Sequence, residues 1–133
     1  MKENQKFFIC SHCKNLADPI VDKGLPLICC GDEMTELIPN TVDASGEKHL
    51  PEVTVSGNNI EVQVGSVLHP MTDEHYIPFI YVETEHGGQR KCLKPGDEPK
   101  AKFSFVDDKP VAVFEYCNLH GLWKVDSAGF SNE

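Results

Sequence analysis

The sequence predicts an all-β protein in which a small metal-stapled module precedes an antiparallel β-sandwich of immunoglobulin-like size. Four cysteines lie in two pairs within the first 30 residues. From residue 52 onward, short segments of alternating apolar and polar residues are separated by turn residues. No segment has the apolar spacing of a long amphipathic helix. The pattern changes near residues 38 to 40, so we expect domains at 1–38 and 39–133.

Composition is that of a globular protein, with 133 residues, 40% hydrophobic and 25% charged. No apolar run approaches the roughly 20 residues that a membrane helix needs. Only three consecutive apolar residues precede Cys10, so we expect no secretory signal, no membrane partner and residence in the cytoplasm. The formal net charge of −9, without any basic run, disfavours nucleic acid as a partner.

The first module is defined by a Cys10-x-x-Cys13 turn and the adjacent pair Cys29 and Cys30. In a reducing compartment, six cysteines indicate metal binding or redox chemistry and not a disulfide framework. A Cys-x-x-Cys turn places two thiolates on one metal and directs backbone amides at the sulfurs. Adjacent cysteines cannot form the same turn, so the tetrahedron should be distorted. Four thiolates suit zinc or a single iron equally well, and a closed zinc site that only folds the module stays an alternative.

The strands of the second domain are predicted from alternation and from the turn residues between them. We expect three hairpins and a last strand, seven strands in all, which is typical of a β-sandwich. The expected pairs and the last strand are Val53–Val55 with Ile60–Val64, Pro78–Glu85 with Gln89–Leu93, Lys102–Val106 with Val111–Tyr116, and Leu122–Val125. Candidate core residues are Phe79, Phe103, Phe105, Phe114 and Trp123.

A second set of potential ligands is scattered over the loops of the predicted sandwich. It contains four of the six histidines and one cysteine: His49, His69, His75, Cys117 and His120. Imidazole and thiolate together suit a borderline transition metal such as iron, and not calcium or magnesium. Five ligands exceed the four of a closed zinc site and leave an octahedral metal one open position for chemistry. Spacing alone supports a metal site and ordinary loop histidines about equally.

Together these motifs resemble those of the two-iron superoxide reductases, the desulfoferrodoxins, along nearly the whole chain. The two cysteine pairs resemble a desulforedoxin iron centre. The segments that resemble the catalytic-iron motifs are Glu47–Pro51, His69–Met71 with His75, and Cys117–Trp123. Lys14 is a departure, because a glycine commonly follows the second cysteine in the family.

The resemblance implies two iron ions per chain, one bound by Cys10, Cys13, Cys29 and Cys30. The other would have His49, His69, His75 and His120 in a plane and Cys117 as the axial ligand. It further implies one-electron reduction of superoxide to hydrogen peroxide at the open position. Lys48 would attract the anion and assist proton delivery through water, and Glu47 would bind the oxidised iron after the product leaves. A rubredoxin would supply the electron, and the N-terminal modules would pack into a homodimer.

Two other functions stay open at this point. An electron-transfer protein would use both irons only to carry electrons, although an open position beside a lysine suits the binding of a small anion better. A zinc-stapled sandwich could serve as an interaction module. Colour separates this last possibility from the others, because zinc sites are colourless and ferric thiolate sites absorb visible light.

Overall fold

A computed structural model describes residues 4–133 and divides the chain into two compact units, one ending at Ile38 and the other beginning at Pro39. The first unit contains five strands of two residues each: β1 (Phe8–Ile9), β2 (Leu16–Ala17), β3 (Ile28–Cys29), β4 (Asp32–Glu33) and β5 (Thr35–Glu36). Strand β1 lies between β2 and β5, and β3 pairs with β4. Among the described residues of this unit only Phe7 and Cys10 are buried. So small a core cannot hold the unit together without a cross-link.

The second unit is a β-sandwich preceded by a single helical turn. Its elements are α1 (Gly46–His49), β6 (Pro51–Ser56), β7 (Asn59–Val64), β8 (Phe79–Thr84), β9 (Gly88–Cys92), β10 (Lys100–Ser104), β11 (Pro110–Cys117), β12 (Gly121–Asp126), a 3₁₀ turn (Ser127–Gly129) and β13 (Ser131–Asn132). One sheet has the strand order β10-β7-β6-β13 and the other β12-β11-β8-β9. The predicted all-β class with a sandwich is confirmed, apart from the single turn of α1 and the 3₁₀ turn. None of the helices in the described part of the chain is long and apolar enough to cross a membrane.

The core lies between the two sheets and follows from the alternation of apolar residues along their strands. Residues at every second position point inward and are buried, as expected for sheets with one face in a core. From the first sheet these include Val53, Ile60, Val62, Val64 and Phe103, and from the second Ile80, Val82 and Val113. All five predicted core aromatic residues are buried.

The predicted third hairpin is wrong. Strand β10 pairs with β7 and strand β11 pairs with β8 and β12, so the segment between β10 and β11 crosses from one sheet to the other. Six of the eight residues of β11 are buried, on both faces of its sheet. A strand buried on both faces belongs in the middle of a sheet, and its two hydrogen-bonding edges are filled by β8 and β12.

Two short elements were also absent from the sequence prediction. The sandwich has an eighth strand, β13, which adds two residues parallel to β6 and so makes that sheet mixed. The loop expected before the sandwich contains the four-residue helix α1, which carries Glu47, Lys48 and His49. Neither element is long enough to show a period in the sequence.

Gly65 fixes the position of helix α1 against the end of β7. It has φ of +82° and its amide donates to the carbonyl of Leu50 at 3.1 Å. A Cβ atom here would meet the carbonyl oxygens of Lys48 at 2.7 Å and Glu47 at 2.8 Å, and would also collide with that of Val67. Only glycine therefore fits between the helix and the chain that follows β7.

We expect Gly65→Ala to lower the free energy of unfolding by about 3 kcal/mol or more, because the left-handed backbone and the collision with fixed carbonyls add. Gly57→Ala is the matched control, since Gly57 has φ of +60° with nothing within 4 Å of the added carbon. It should cost only about 1 kcal/mol. Equal losses in urea denaturation of the two variants would show that the close approach at Gly65 is unimportant.

Glu115 is fully buried in the sandwich, directly across from Ile80 on β8 and Trp123 on β12. Neither carboxylate oxygen has a hydrogen-bond partner among the described residues. Burial therefore raises the pKa of this carboxyl well above 4.5. Between pH 4.5 and the raised value, the folded state holds a proton that the unfolded state has released, so stability falls as pH rises.

Glu115→Gln does not titrate, so its free energy of unfolding should rise relative to that of the wild type as the pH increases above about 5, by at most about 1.4 kcal/mol per pH unit. Urea denaturation of both proteins across this range measures the difference. Glu52→Gln, on an exposed position of β6, should show no such trend. A difference for Glu115→Gln that is constant with pH would mean that the carboxyl is solvated in the folded state.

Candidate metal centres

The four cysteines of the first unit form one cluster. The Sγ of Cys29 lies 3.6 Å from that of Cys13 and 4.0 Å from that of Cys30. The ligand atoms of all four cysteines lie within 4.8 Å of one another, and none of these cysteines forms a disulfide. Sulfurs arranged tetrahedrally about 2.3 Å from a metal are about 3.8 Å apart. The cluster therefore fits a metal bound by four thiolates.

Local backbone geometry explains how two different cysteine pairs reach one point. In the first pair, the amide of Cys13 points at the Sγ of Cys10 at 3.5 Å. In the second, the chain turns through left-handed backbone at Cys30, with φ of 52°, and at Gly31, with φ of 80°. This turn brings adjacent cysteine side chains to the same side of the chain. His12 is not part of the cluster, and its Nε2 contacts the carboxylate of Asp32 at the surface.

The pKa values of the thiols indicate that the cluster stabilises one thiolate and disfavours a second. The backbone amide of Cys13 is the main cause that lowers the pKa of Cys10 to about 6. The neighbouring Cys10 sulfur is in turn the main cause that raises the pKa of Cys29 to about 12. Four thiolates together thus need a cation, which binds as the remaining protons leave.

The histidines and Cys117 form a second cluster at one end of the sandwich. His49 is the last residue of α1, and His69 and His75 lie in the long connection between β7 and β8. Cys117 ends β11, and His120 lies in the tight turn before β12. Strand ends and loops held by two rigid sheets therefore supply all five side chains.

Hydrogen bonds aim the imidazoles at a common centre. The Nδ1 of His49 lies 2.6 Å from the carbonyl of Ser45, and the Nδ1 of His69 lies 2.7 Å from that of Pro70. These carbonyls accept a hydrogen bond only from a protonated Nδ1. Each Nε2 is therefore unprotonated and has a lone pair that can bind a metal. The Nε2 of His49 lies 3.0 Å from the Nδ1 of His120. Adjacent nitrogens about 2.1 Å from one octahedral metal are likewise about 3.0 Å apart.

Unpartnered nitrogens provide the test of whether a metal fits here. The Nε2 atoms of His69 and His75 are buried and have no hydrogen-bond partner among the described residues. Buried polar atoms are rarely left unpaired, because desolvation without a partner costs about 1–3 kcal/mol. The ligand atoms of these two residues, His49 and Cys117 lie within 4.8 Å of one another. A metal at their centre would satisfy them all.

Burial also keeps the ligands in the protonation state that a metal requires. It is the main cause that lowers the pKa of His69 to about 4 and the pKa values of His49 and His75 below their ordinary value. These imidazoles are therefore neutral near pH 7 and can bind a metal. Burial likewise raises the pKa of Cys117, so its proton leaves only when a cation binds.

The structure thus brings the nine predicted metal ligands together in two separate clusters. The two predicted catalytic residues, Glu47 and Lys48, lie on α1 directly before His49, and both are exposed. The charge of Lys48 reaches the cluster, because it contributes, after burial, to the low pKa values of His49 and His75.

Two residues that support the second cluster were not assigned this role from the sequence. Trp123 was expected in the core and at the end of the Cys117–Trp123 motif, with no contact to a ligand, yet its ring stacks on that of His49 with centroids 5.0 Å apart and planes at 23°. Its Nε1 donates to the carbonyl of His120 at 3.1 Å. The Asn118 side chain accepts from the amide of Tyr76 at 2.9 Å and donates to the carbonyl of Glu74 at 2.9 Å. It therefore fastens the Cys117 turn to the loop that carries His75.

We expect Trp123→Leu to lower metal retention by about tenfold or more, because both the stacking and the hydrogen bond are lost and outer contacts of this kind orient ligands. Trp123→Phe keeps the ring and should lose less. Competition with a chelator measures retention in both variants. Phe103→Leu, in the core on β10, is the control, and a loss there as large as in Trp123→Leu would reduce Trp123 to an ordinary core residue.

Known proteins resemble this chain in sequence and in fold. The family model for desulfoferrodoxin matches residues 41–126. A desulfoferrodoxin homologue of Archaeoglobus fulgidus is 42% identical and covers 93% of this chain and 98% of its own, and the desulfoferrodoxin of Nitratidesulfovibrio vulgaris is 40% identical and covers 96% and 100%. The crystal structure of the superoxide reductase from Treponema pallidum superposes with a TM-score of 0.78 at 36% identity, covering 93% of this chain and all of that one. The chain belongs to the desulfoferrodoxin family.

Proposed function

We propose that this protein is a superoxide reductase, which reduces superoxide by one electron to hydrogen peroxide. The observation that carries the proposal is the convergence of four imidazoles and one thiolate on a point beside Lys48. Five donors leave an octahedral metal one position for a small anion. The superoxide reductase of Treponema pallidum has the same fold over nearly the whole chain.

Each chain has two iron sites, which match the four-cysteine cluster and the cluster of His49, His69, His75, His120 and Cys117. When bound in the second cluster, iron supplies the electron for superoxide and an electrophilic site for the anion. The buried neutral imidazoles hold the metal without adding charge, while the buried Cys117 thiolate supplies one negative charge. Water is kept from the ligand nitrogens because His49 and His69 are 2% and 3% exposed.

Lys48 guides the substrate in this proposal. The chain has a formal net charge of −9, which repels an anion at long range. The exposed ammonium of Lys48, on the residue before His49, gives the approach to the cluster a local positive field. The reaction consumes two protons and one electron for each superoxide, and in this proposal Lys48 passes one of these protons through water to the reduced oxygen.

Glu47 is proposed to bind the oxidised metal after the product has left. Its carboxylate is exposed, and its backbone carbonyl accepts from the amide of Val67 at 3.1 Å and the hydroxyl of Ser66 at 3.2 Å. These bonds hold the backbone of the residue while the side chain stays free to move. Glu47 precedes His49 by two residues on α1, so its carboxylate would reach the metal through a change of side-chain conformation.

The electron comes from outside the chain, and we propose a rubredoxin as the donor and the four-cysteine iron as a store or relay. Cys13 and Cys30 are exposed, which allows a donor to approach the sulfurs. All six cysteines are free thiols, as a reducing cytoplasm would keep them. Oxidation of reduced rubredoxin during turnover would be followed by its visible absorbance, and a protein that turned over with other donors but left rubredoxin reduced would exclude it.

We further propose a homodimer formed by the first units. This unit exposes several large apolar side chains, among them Ile20, which is 96% exposed, Val21, Leu25 and Ile28. Apolar surface of this kind on a small unit favours association. Sedimentation should show a dimer that Ile20→Lys weakens, and a wild-type monomer at all concentrations would exclude it.

The reaction itself is tested by mixing the reduced protein with pulse-generated superoxide while visible absorbance and hydrogen peroxide are measured. We expect one peroxide for each superoxide, no oxygen, and oxidation of the iron at the five-ligand site. If the reduced protein ignored superoxide but still exchanged electrons with rubredoxin, it would be an electron carrier and not an enzyme.

Lys48→Ala should slow the reaction with superoxide by about tenfold or more and reduce its dependence on ionic strength, because local steering of the anion is lost. The visible spectrum should not change, since no ligand is altered. Lys109→Ala is the control, because Lys109 precedes β11 and so lies about 25 Å from the end that carries Cys117. A rate equally reduced in both variants would mean that only the total charge matters.

A further inference from the structure

We propose that Lys14 and Asn15 raise the reduction potential of the four-cysteine iron, Lys14 through its charge and Asn15 through a hydrogen bond to a ligand sulfur. The inference rests on iron occupying this cluster, as in the proposed function. Neither residue is a ligand, and both change the reduction potential of the four-cysteine iron. The reaction with superoxide at the second cluster does not depend on it.

Lys14 is held over the cysteine turn by its backbone and by its side chain. Its φ of 66° lies in the left-handed region that favours glycine and is unfavourable for a residue with a side chain. Its amide donates to the carbonyl of Cys10 at 3.0 Å. Its Nζ folds back and donates to the carbonyl of Ser11 at 3.0 Å. The ammonium is therefore anchored at the Cys10–Cys13 turn instead of extending into solvent.

Asn15 connects the two cysteine pairs. Its backbone carbonyl accepts from the amide of Cys10 at 2.9 Å. Its side-chain Nδ2 lies 3.9 Å from the Sγ of Cys29 and donates to it. One residue thus bonds to the backbone of the first pair and to a sulfur of the second, so the amide dipole is fixed relative to the cluster.

The sign of both effects follows from charge. Four thiolates with ferric iron carry a net charge of −1, and one electron from a reductant makes it −2, with no proton taken up. A fixed cation and an N–H donor at a sulfur stabilise the more negative state more strongly. Both residues therefore favour reduction.

The other lysines described in this unit do not share this position. Lys6 forms an ion pair with Asp22 at 3.5 Å, and no hydrogen bond or ion pair joins the Lys23 side chain to the cysteine turns in the part of the chain that the structure describes. Lys23 therefore provides a matched control, because its removal changes the net charge of the unit equally without taking a cation from the cluster.

The test is a redox titration of the full-length iron-loaded protein, in which the visible absorbance of each centre reports its midpoint potential. We expect Lys14→Gln and Asn15→Ala each to shift the potential of the four-cysteine centre downward, and the double variant to shift it by about the sum. Lys14→Arg, which keeps the charge, and Lys23→Gln should leave it near the wild-type value. The potential of the second centre serves as an internal reference.

Ionic strength separates the two contributions. The shift caused by Lys14→Gln should shrink at high salt, because an exposed charge is screened. The shift caused by Asn15→Ala should persist, because it reflects a hydrogen bond. If Asn15→Ala releases its iron, Asn15→Leu, which is closer in size, measures the same loss of the donor.

Potentials of Lys14→Gln and of the Asn15 variant no lower than that of Lys23→Gln would overturn the proposal. A wild-type protein without ferric thiolate absorbance after loading with iron would instead contradict the iron assignment of this cluster, so the two failures are distinct.

Discussion

The structure depends most on the convergence of buried imidazole nitrogens that have no hydrogen-bond partner among residues 4–133. His69 and His75 each direct an Nε2 atom into the second cluster, where the described residues offer it no hydrogen bond. Such atoms destabilise a fold unless a cation binds them. The same reasoning applies to the first unit, where the buried Phe7 and four clustered cysteines, of which only Cys10 is buried, replace a core among the described residues. In both units, metal binding therefore contributes to the free energy of folding.

The sandwich positions the ligands of the second cluster. Its two sheets place the end of β11, the start of β12 and the connection from β7 to β8 at one end, while Gly65 lets helix α1 approach closely enough to add His49. Backbone carbonyls of Ser45 and Pro70 then select the tautomer of two histidines. Ligand orientation thus comes from the backbone of short loops, and the rigidity of these loops comes from the sheets.

The features that could be predicted from the sequence are those that depend on residues close to one another along the chain. The cysteine cluster of the first unit could be predicted because Cys10-x-x-Cys13 is a compact motif, and most strands because alternation is a local pattern. The scattered histidines were named as ligands only through the resemblance to the family. The pairing of β10 with β7 could not be predicted, because it depends on which strand is buried on both faces. The contact of Trp123 with His49 depends on register between distant segments, and neither α1 nor β13 is long enough to show a period.

The two clusters differ in exposure in a way that separates electron exchange from catalysis. In the four-cysteine cluster Cys13 and Cys30 are exposed, and electrons reach a metal most readily where its ligands meet the surface. In the second cluster Cys117, His49 and His69 are buried, while the neighbouring Glu47, Lys48 and Leu119 are open to solvent. A small anion can reach such a site while a protein partner cannot contact its sulfur. The exposed centre therefore suits electron transfer from a protein donor, and the buried centre suits a diatomic substrate. A reductase that carries no bound reductant needs both kinds of centre.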